Sequence, residues 1–118
     1  SELLVWSPKH EFAGTLDFLA EIGGKIILGD FKTNDRLSED VCLQTAGYGI
    51  CLEEAGVKWD TRMVVRIPKD GAEVEAREII TDYEFDKDVF LNLRNTHRWN
   101  YWVENNNWLS GSKKVVTL

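Results

Sequence analysis

GTLDFLAEIGGKIILGDFKTN, residues 14–34, is the stretch whose reading decides the fold. The Gly23-Gly24 pair at its middle predicts a two-residue hairpin loop, because glycine readily takes the positive φ that such turns require. With those glycines as the loop, Ile22 pairs with Lys25, and counting back sets Asp17 opposite Asp30. Lys32, two residues beyond Asp30, points to the same face. Two carboxylates facing each other across a ladder repel. A divalent cation between them turns that repulsion into coordination. The alternative is a simple Asp30–Lys32 ion pair on a solvated face, and a one-residue slip of register would turn Asp17 away. Thr15 and Leu19 share the face of Asp17, as Ile26 and Leu28 share that of Asp30 and Lys32. The opposite face, with Leu16, Phe18, Ala20, Ile27, Gly29 and Phe31, is apolar too. The pattern predicts a central hairpin buried on both sides, whose charges need partners.

Outward from the hairpin (residues 12–21 and 25–33), residues 2–6, ELLVW, read as a strand that stops before Pro8, and residues 34–37 as a polar loop. Ser38 suits an N-cap, with Glu39 and Asp40 favouring the dipole of a helix that ends near Ala55, at Gly56. Residues 61–68 and 73–80 read as strands around a turn at Lys69-Asp70-Gly71. Asp86 is the expected cap of a last helix over residues 87–104, with Val89, Phe90, Leu93, Trp99 or Tyr101, and Val103 along its core stripe. The expectation is one domain over residues 2–104 with a tail at 105–118, in which Val115 to Leu118 form a short strand or docked tail. Its class is α/β (α+β), a central mixed β-sheet flanked by helices. The chain opens directly in a strand, so helical material upstream, or a homo-oligomer, is expected to complete the core.

The 118 residues suit a single core, and 43 % hydrophobic with 29 % charged content is ordinary for a globular protein. No apolar run has the length of a membrane span and no signal peptide opens the sequence, which points to a non-secreted, intracellular protein without a membrane partner. Cys42 and Cys51 lie more than two helical turns apart and read as free thiols of a reducing compartment. A formal net charge of −6 and a pI near 4.9 argue against broad electrostatic binding of nucleic acid but not against a nucleic-acid enzyme, whose site carboxylates count as negative here. Basic residues do gather at Lys58, Arg62 and Arg66, and at Arg94, His97 and Arg98, most simply as solvated faces. His10 reads as a surface or DNA-facing residue.

The first helix carries a second signal. Val41, Gln44, Tyr48, Cys51 or Leu52, and Ala55 form one stripe, so the Gln44 amide and the Tyr48 hydroxyl sit on a core-facing surface. A buried amide needs partners, either nearby backbone or the hairpin carboxylates. Gly47 and Gly49 flank Tyr48, each costing about 1 kcal/mol inside a helix, which suggests that another segment or a ligand passes close there.

Asp17, the D-x-K of Asp30-Phe31-Lys32, and QTAGY at residues 44–48 follow one another in an order that resembles the PD-(D/E)XK nuclease superfamily. The likeness is strongest to its RecB-like exonuclease branch, which includes phage exonucleases and the mitochondrial genome-maintenance exonuclease. There a G-x-x-D strand, a D-x-K strand and a QxxxY helix recur, here GTLD, DFK and QTAGY. The resemblance implies a restriction-endonuclease-like core and a deoxyribonuclease acting on DNA, more an exonuclease of phage or recombination-repair type than a restriction enzyme, in the cytoplasm of a bacterial or phage-infected cell. It implies Asp17, Asp30 and Lys32 as the catalytic set. Mg²⁺ or Mn²⁺ would be held by Asp17, Asp30 and the Phe31 carbonyl, with Glu2 as a further, weaker contributor. Lys32 would position or deprotonate the attacking water or stabilise charge on phosphorus, and Gln44 and Tyr48 would orient the site and the DNA backbone. Two cysteines leave no set of four for an iron–sulfur cluster. Trp99, Tyr101 and Trp102 would either pack the last helix on the sheet or stack on bases. The rival readings are a non-catalytic nucleic-acid-binding module that retains the fold, and a structural domain without DNA.

Overall fold

The computed structural model describes residues 2–33, 36–106, 108–113 and 115. It is a mixed α+β structure in which the strands β1 (Leu3–Ser7), β2 (Phe12–Leu16), β3 (Phe18–Ile22) and β4 (Lys25–Lys32) precede the helix α1 (Asp40–Glu54). The strands β5 (Thr61–Arg66) and β6 (Glu75–Ile79) follow, then the long helix α2 (Tyr83–Asn106) and a short α3 (Trp108–Gly111). β1 and β2 form an antiparallel pair, and the other four strands form a sheet in the order β3-β4-β5-β6. β4 and β5 run parallel, joined by α1 as a crossover, while the two other neighbouring pairs are antiparallel.

The glycine loop behaves as its composition dictates. Gly23 and Gly24 have φ of 59° and 80°, and Ile22 pairs with Lys25. One feature departs from the alternating pattern. The expected first hairpin strand is broken by a bend at Asp17, which divides it into β2 and β3. The bend resets the side-chain alternation. Leu16, expected opposite Leu28, instead joins it in the core with Val5, Tyr48, Cys51 and Leu52. Leu16 and Leu28 are both fully buried, and each such side chain is worth roughly 1.5–3 kcal/mol against exposure. The hairpin is central only in its second strand: β4 lies inside the sheet and β3 is its edge. Burial on both sides holds for Ile27, Leu28, Gly29 and Asp30 but stops at Phe31, which is 44 % exposed. On the face away from α1, the Phe18 ring lies over Gly29, where a Cβ would overlap it.

α1 lies against β1, β2 and β4, and α2 lies along α1. Both glycines beside Tyr48 are explained by close neighbours. A Cβ on Gly47 would come within 2.7 Å of the Phe90 ring of α2, and one on Gly49 within 2.8 Å of both Trp59 and Tyr83. Gly56 ends α1 with φ 76°, as expected of a C′ glycine. Ser38 stands one residue before the Glu39 cap, its hydroxyl accepting the Asp40 N–H at 3.3 Å.

Several boundaries need correction. The strands expected over 61–68 and 73–80 are shorter, and β1 runs to Ser7. The last helix begins at Tyr83, where Asp82 accepts the Glu84 and Phe85 N–H groups as the first-turn cap. Asp86 is therefore not the cap. It pairs with Arg62 at 3.0 Å. Arg62 is not on a solvated face either: it is 2 % exposed and also donates to the carbonyls of Cys42 and Thr81. One guanidinium thus ties β5 to α1 and to the start of α2. α2 runs past residue 104 and contains no buried residue. Trp99 and Tyr101 of the expected core stripe are 62 % and 65 % exposed. Of the expected Val115–Leu118 segment, residues 116–118 lie outside the described residues. No helix of the described residues is long and apolar enough to cross a membrane.

Candidate functional site

The bend at Asp17 builds the site. One step past the Phe18–Gly29 pair, the chain leaves the ladder while Asp17 stays at the level of Asp30. Its carboxylate then accepts the Phe31 N–H at 2.8 Å, a bond made across the point where the strand opens. The two carboxyl groups are close enough to share one proton. Leu28, Asp30 and Lys32 alternate along β4 on the face that meets α1. There Lys32 Nζ lies 2.7 Å from Asp30 Oδ2 and donates to Gln44 Oε1 at 2.8 Å. Gln44 in turn donates through Nε2 to the Tyr48 hydroxyl at 2.8 Å, one helical turn on. Asp17, Asp30, Lys32, Gln44 and Tyr48 are therefore one connected polar chain at the upper edge of the core.

Its electrostatics follow from its burial. Asp30 is 3 % exposed, and burial together with the hydrogen bond its protonated form donates to the Asp17 carboxylate pushes its carboxyl up to about 6, against the pull of Lys32. Asp17 moves the opposite way, lowered chiefly by its hydrogen bond to Asp30 and further by the Phe31 N–H and Lys32. Two carboxylates driven apart in this manner behave as one coupled acid–base unit. Burial and the charge of Asp30 push Tyr48 up to about 12, so its phenol stays protonated.

The glycine of GTLD also has a role. A Cβ on Gly14 would lie 3.0 Å from the Tyr48 ring, so Gly14 lets that ring lie against β2. The remaining assignments divide. Phe31 contributes its N–H to Asp17, a bond that spacing alone did not reveal. The β1–β2 ladder, extended one step past Leu3–Leu16, brings Glu2 level with Asp17, yet Glu2 is exposed. Among the described residues no group of three or more acidic, His or Cys side chains gathers. His10 sits at the turn end of β1–β2, its N–H bonded to Ser7 Oγ, roughly 15 Å along the ladder from Asp17. Arg94 and Arg98 of α2 bind that same turn, at the His10 and Glu11 carbonyls and the Glu11 carboxylate.

The carboxylate pair has the donor chemistry for a hard divalent ion. Asp30 Oδ2 is buried and, although close to Lys32, makes no aligned hydrogen bond. Paired with Lys32 on one side only, this oxygen keeps a lone pair that can coordinate an ion. Oxygen donors of this kind fit Mg²⁺ or Mn²⁺. No protein-family model matches the chain, and no curated protein matches it in sequence.

Proposed function

We propose that this chain is the core of a metal-dependent deoxyribonuclease that hydrolyses phosphodiester bonds, acting as an exonuclease of phage or recombination-repair type with a restriction-endonuclease-like fold. The observation that carries the reading is the Asp17–Asp30 pair at the bend, with Lys32 Nζ 2.7 Å from a buried Asp30 oxygen that lacks an aligned hydrogen bond. Asp17, Asp30 and the Phe31 carbonyl would hold Mg²⁺ or Mn²⁺. When bound, such an ion supplies Lewis-acid polarisation of the phosphate and an acidified water. The chain's own groups do the rest. Gln44 fixes the Lys32 ammonium beside the carboxylates, where it can stabilise charge building on phosphoryl oxygen in the transition state. Tyr48 fixes Gln44 by accepting its amide hydrogen. The acidic surface confines DNA contact to this locality, because nothing about the net charge favours the phosphate backbone at large.

A non-catalytic module with the same fold is the competing reading, and it has no use for an intact Asp17–Asp30–Lys32 set. The deciding experiment is cleavage of end-labelled linear and closed circular DNA with Mg²⁺, Mn²⁺ or EDTA, beside Asp30→Ala. Ion-dependent loss of linear DNA, absent from the variant, is the expected result, and sparing of circles marks an exonuclease. Failure of both ions to support cleavage would move the chain to the binding-module class.

A further inference from the structure

A cavity of about 180 Å³ opens beside the Gln44–Tyr48 end of the site. Phe12, Gly14, Gln44, Gly47, Tyr48 and Phe90 line it. Phe12 and Phe90 meet edge to face at 5.0 Å and form an aromatic wall, with Phe90 packed close over Gly47 and the Tyr48 ring over Gly14. Two hydrogen-bond donors border the space. Gln44 uses one amide hydrogen on Tyr48 and its oxygen on Lys32, which leaves the second amide hydrogen. The Tyr48 hydroxyl accepts from Gln44, and its own hydrogen has no acceptor among the described residues. Because Tyr48 is held up to about 12, that hydrogen is present at any working pH.

We propose that this cavity seats a single unpaired nucleobase of the strand whose phosphate lies at the carboxylates. The inference rests on the nuclease reading and adds to it the form of the substrate. An aromatic wall favours a flat ring, as in other sites that hold an extruded or single-stranded base. The two free donors match the carbonyl or ring-nitrogen acceptors on the edge of a base. The space is below the roughly 300–1,000 Å³ of pockets that hold drug-sized ligands, so it admits one base and excludes a base pair. Gln44 and Tyr48 also link the cavity to Lys32, which ties the seated base to the adjoining phosphate. The substrate end must therefore be single-stranded or frayed.

The test is binding without cleavage. In EDTA, the whole protein is titrated with a fluorescent oligothymidylate and with a blunt hairpin duplex of equal length, each also against Phe12→Leu. The expected result is at least about tenfold tighter binding of the single strand, with the preference largely lost in Phe12→Leu, as removal of one stacked base would give. A melting curve shows whether Phe12→Leu keeps its fold, and the single-strand to duplex comparison on the unaltered protein does not depend on that variant. Equal binding of the two DNAs, or no binding of either, overturns the base seat. Ion-dependent cleavage without single-strand preference would overturn the seat and leave the nuclease standing. Single-strand preference without cleavage would keep the seat and remove the nuclease.

Discussion

Asp30 is the residue on which the proposed chemistry turns, and its environment makes it a costly one. Its carboxyl moves from 3.8 to about 6 because the side chain is buried beside Asp17. An acid whose pKa rises on folding holds its proton more tightly in the folded state. Its contribution to stability is therefore present below 3.8 and lost as pH climbs from there through about 6. Asp30→Asn should accordingly stabilise the metal-free protein by about 1–2 kcal/mol at pH 7.5, less than the rise of the Asp30 carboxyl alone implies, because the lost Lys32 ion pair offsets part of the gain. Thermal melts of the two proteins from pH 4 to 8 check this: the gain should shrink towards zero near pH 4. A variant that is less stable across the whole range would show that the Lys32 pair outweighs the burial cost. The same titration opposes ion binding, so Mn²⁺ affinity should fall as pH drops through about 6, when Asp30 takes up its proton.

At the scale of elements, the hairpin register was legible because a Gly-Gly loop leaves one pairing, and that pairing alone puts Asp17 level with Asp30. The bend at Asp17 was not legible. Alternation along residues 12–21 is compatible with an unbroken strand, and only the three-dimensional competition for the core turns Leu16 inward with Leu28. The buried state of Arg62 had a signal that went unused: in TRMVVR it shares a face with Val64, so its parity outranked its charge. The start of α2 was misread because Asp82 and Asp86 are both plausible caps by type, and Arg62 claims the second. The glycines around Tyr48 give a direct test of the helix packing. Gly47→Ala should cost about 1–2 kcal/mol even though alanine gains about 1 kcal/mol in an isolated helix, because its Cβ meets a Phe90 ring braced by Phe12. Urea denaturation measures it, and a stabilised variant would mean that α1 and α2 separate freely.

At the scale of the molecule, the sheet, α1 and the start of α2 converge on the Arg62 guanidinium, bonded to the Cys42 and Thr81 carbonyls and to Asp86. Arg62→Met should destabilise by about 3 kcal/mol, since it strands Asp86 without its partner in a mostly buried place. Loss of less than about 0.5 kcal/mol in denaturant titrations would show that the clamp is dispensable. Phe90 of the stripe packs on α1, but further along the helix Trp99, Tyr101 and Trp102 form an exposed aromatic run. Residues thirteen apart in sequence, Asp17 and Asp30, come together because this framework holds the bent strand against α1. The most direct test is calorimetric titration of Mn²⁺ into the unaltered protein, Asp17→Asn and Asp30→Asn at pH 7.5. Saturable binding to the unaltered protein, lost in both variants while each remains folded, is the predicted result. Binding that survives in either variant, or no binding to the unaltered protein, would contradict a metal site built from this carboxylate pair.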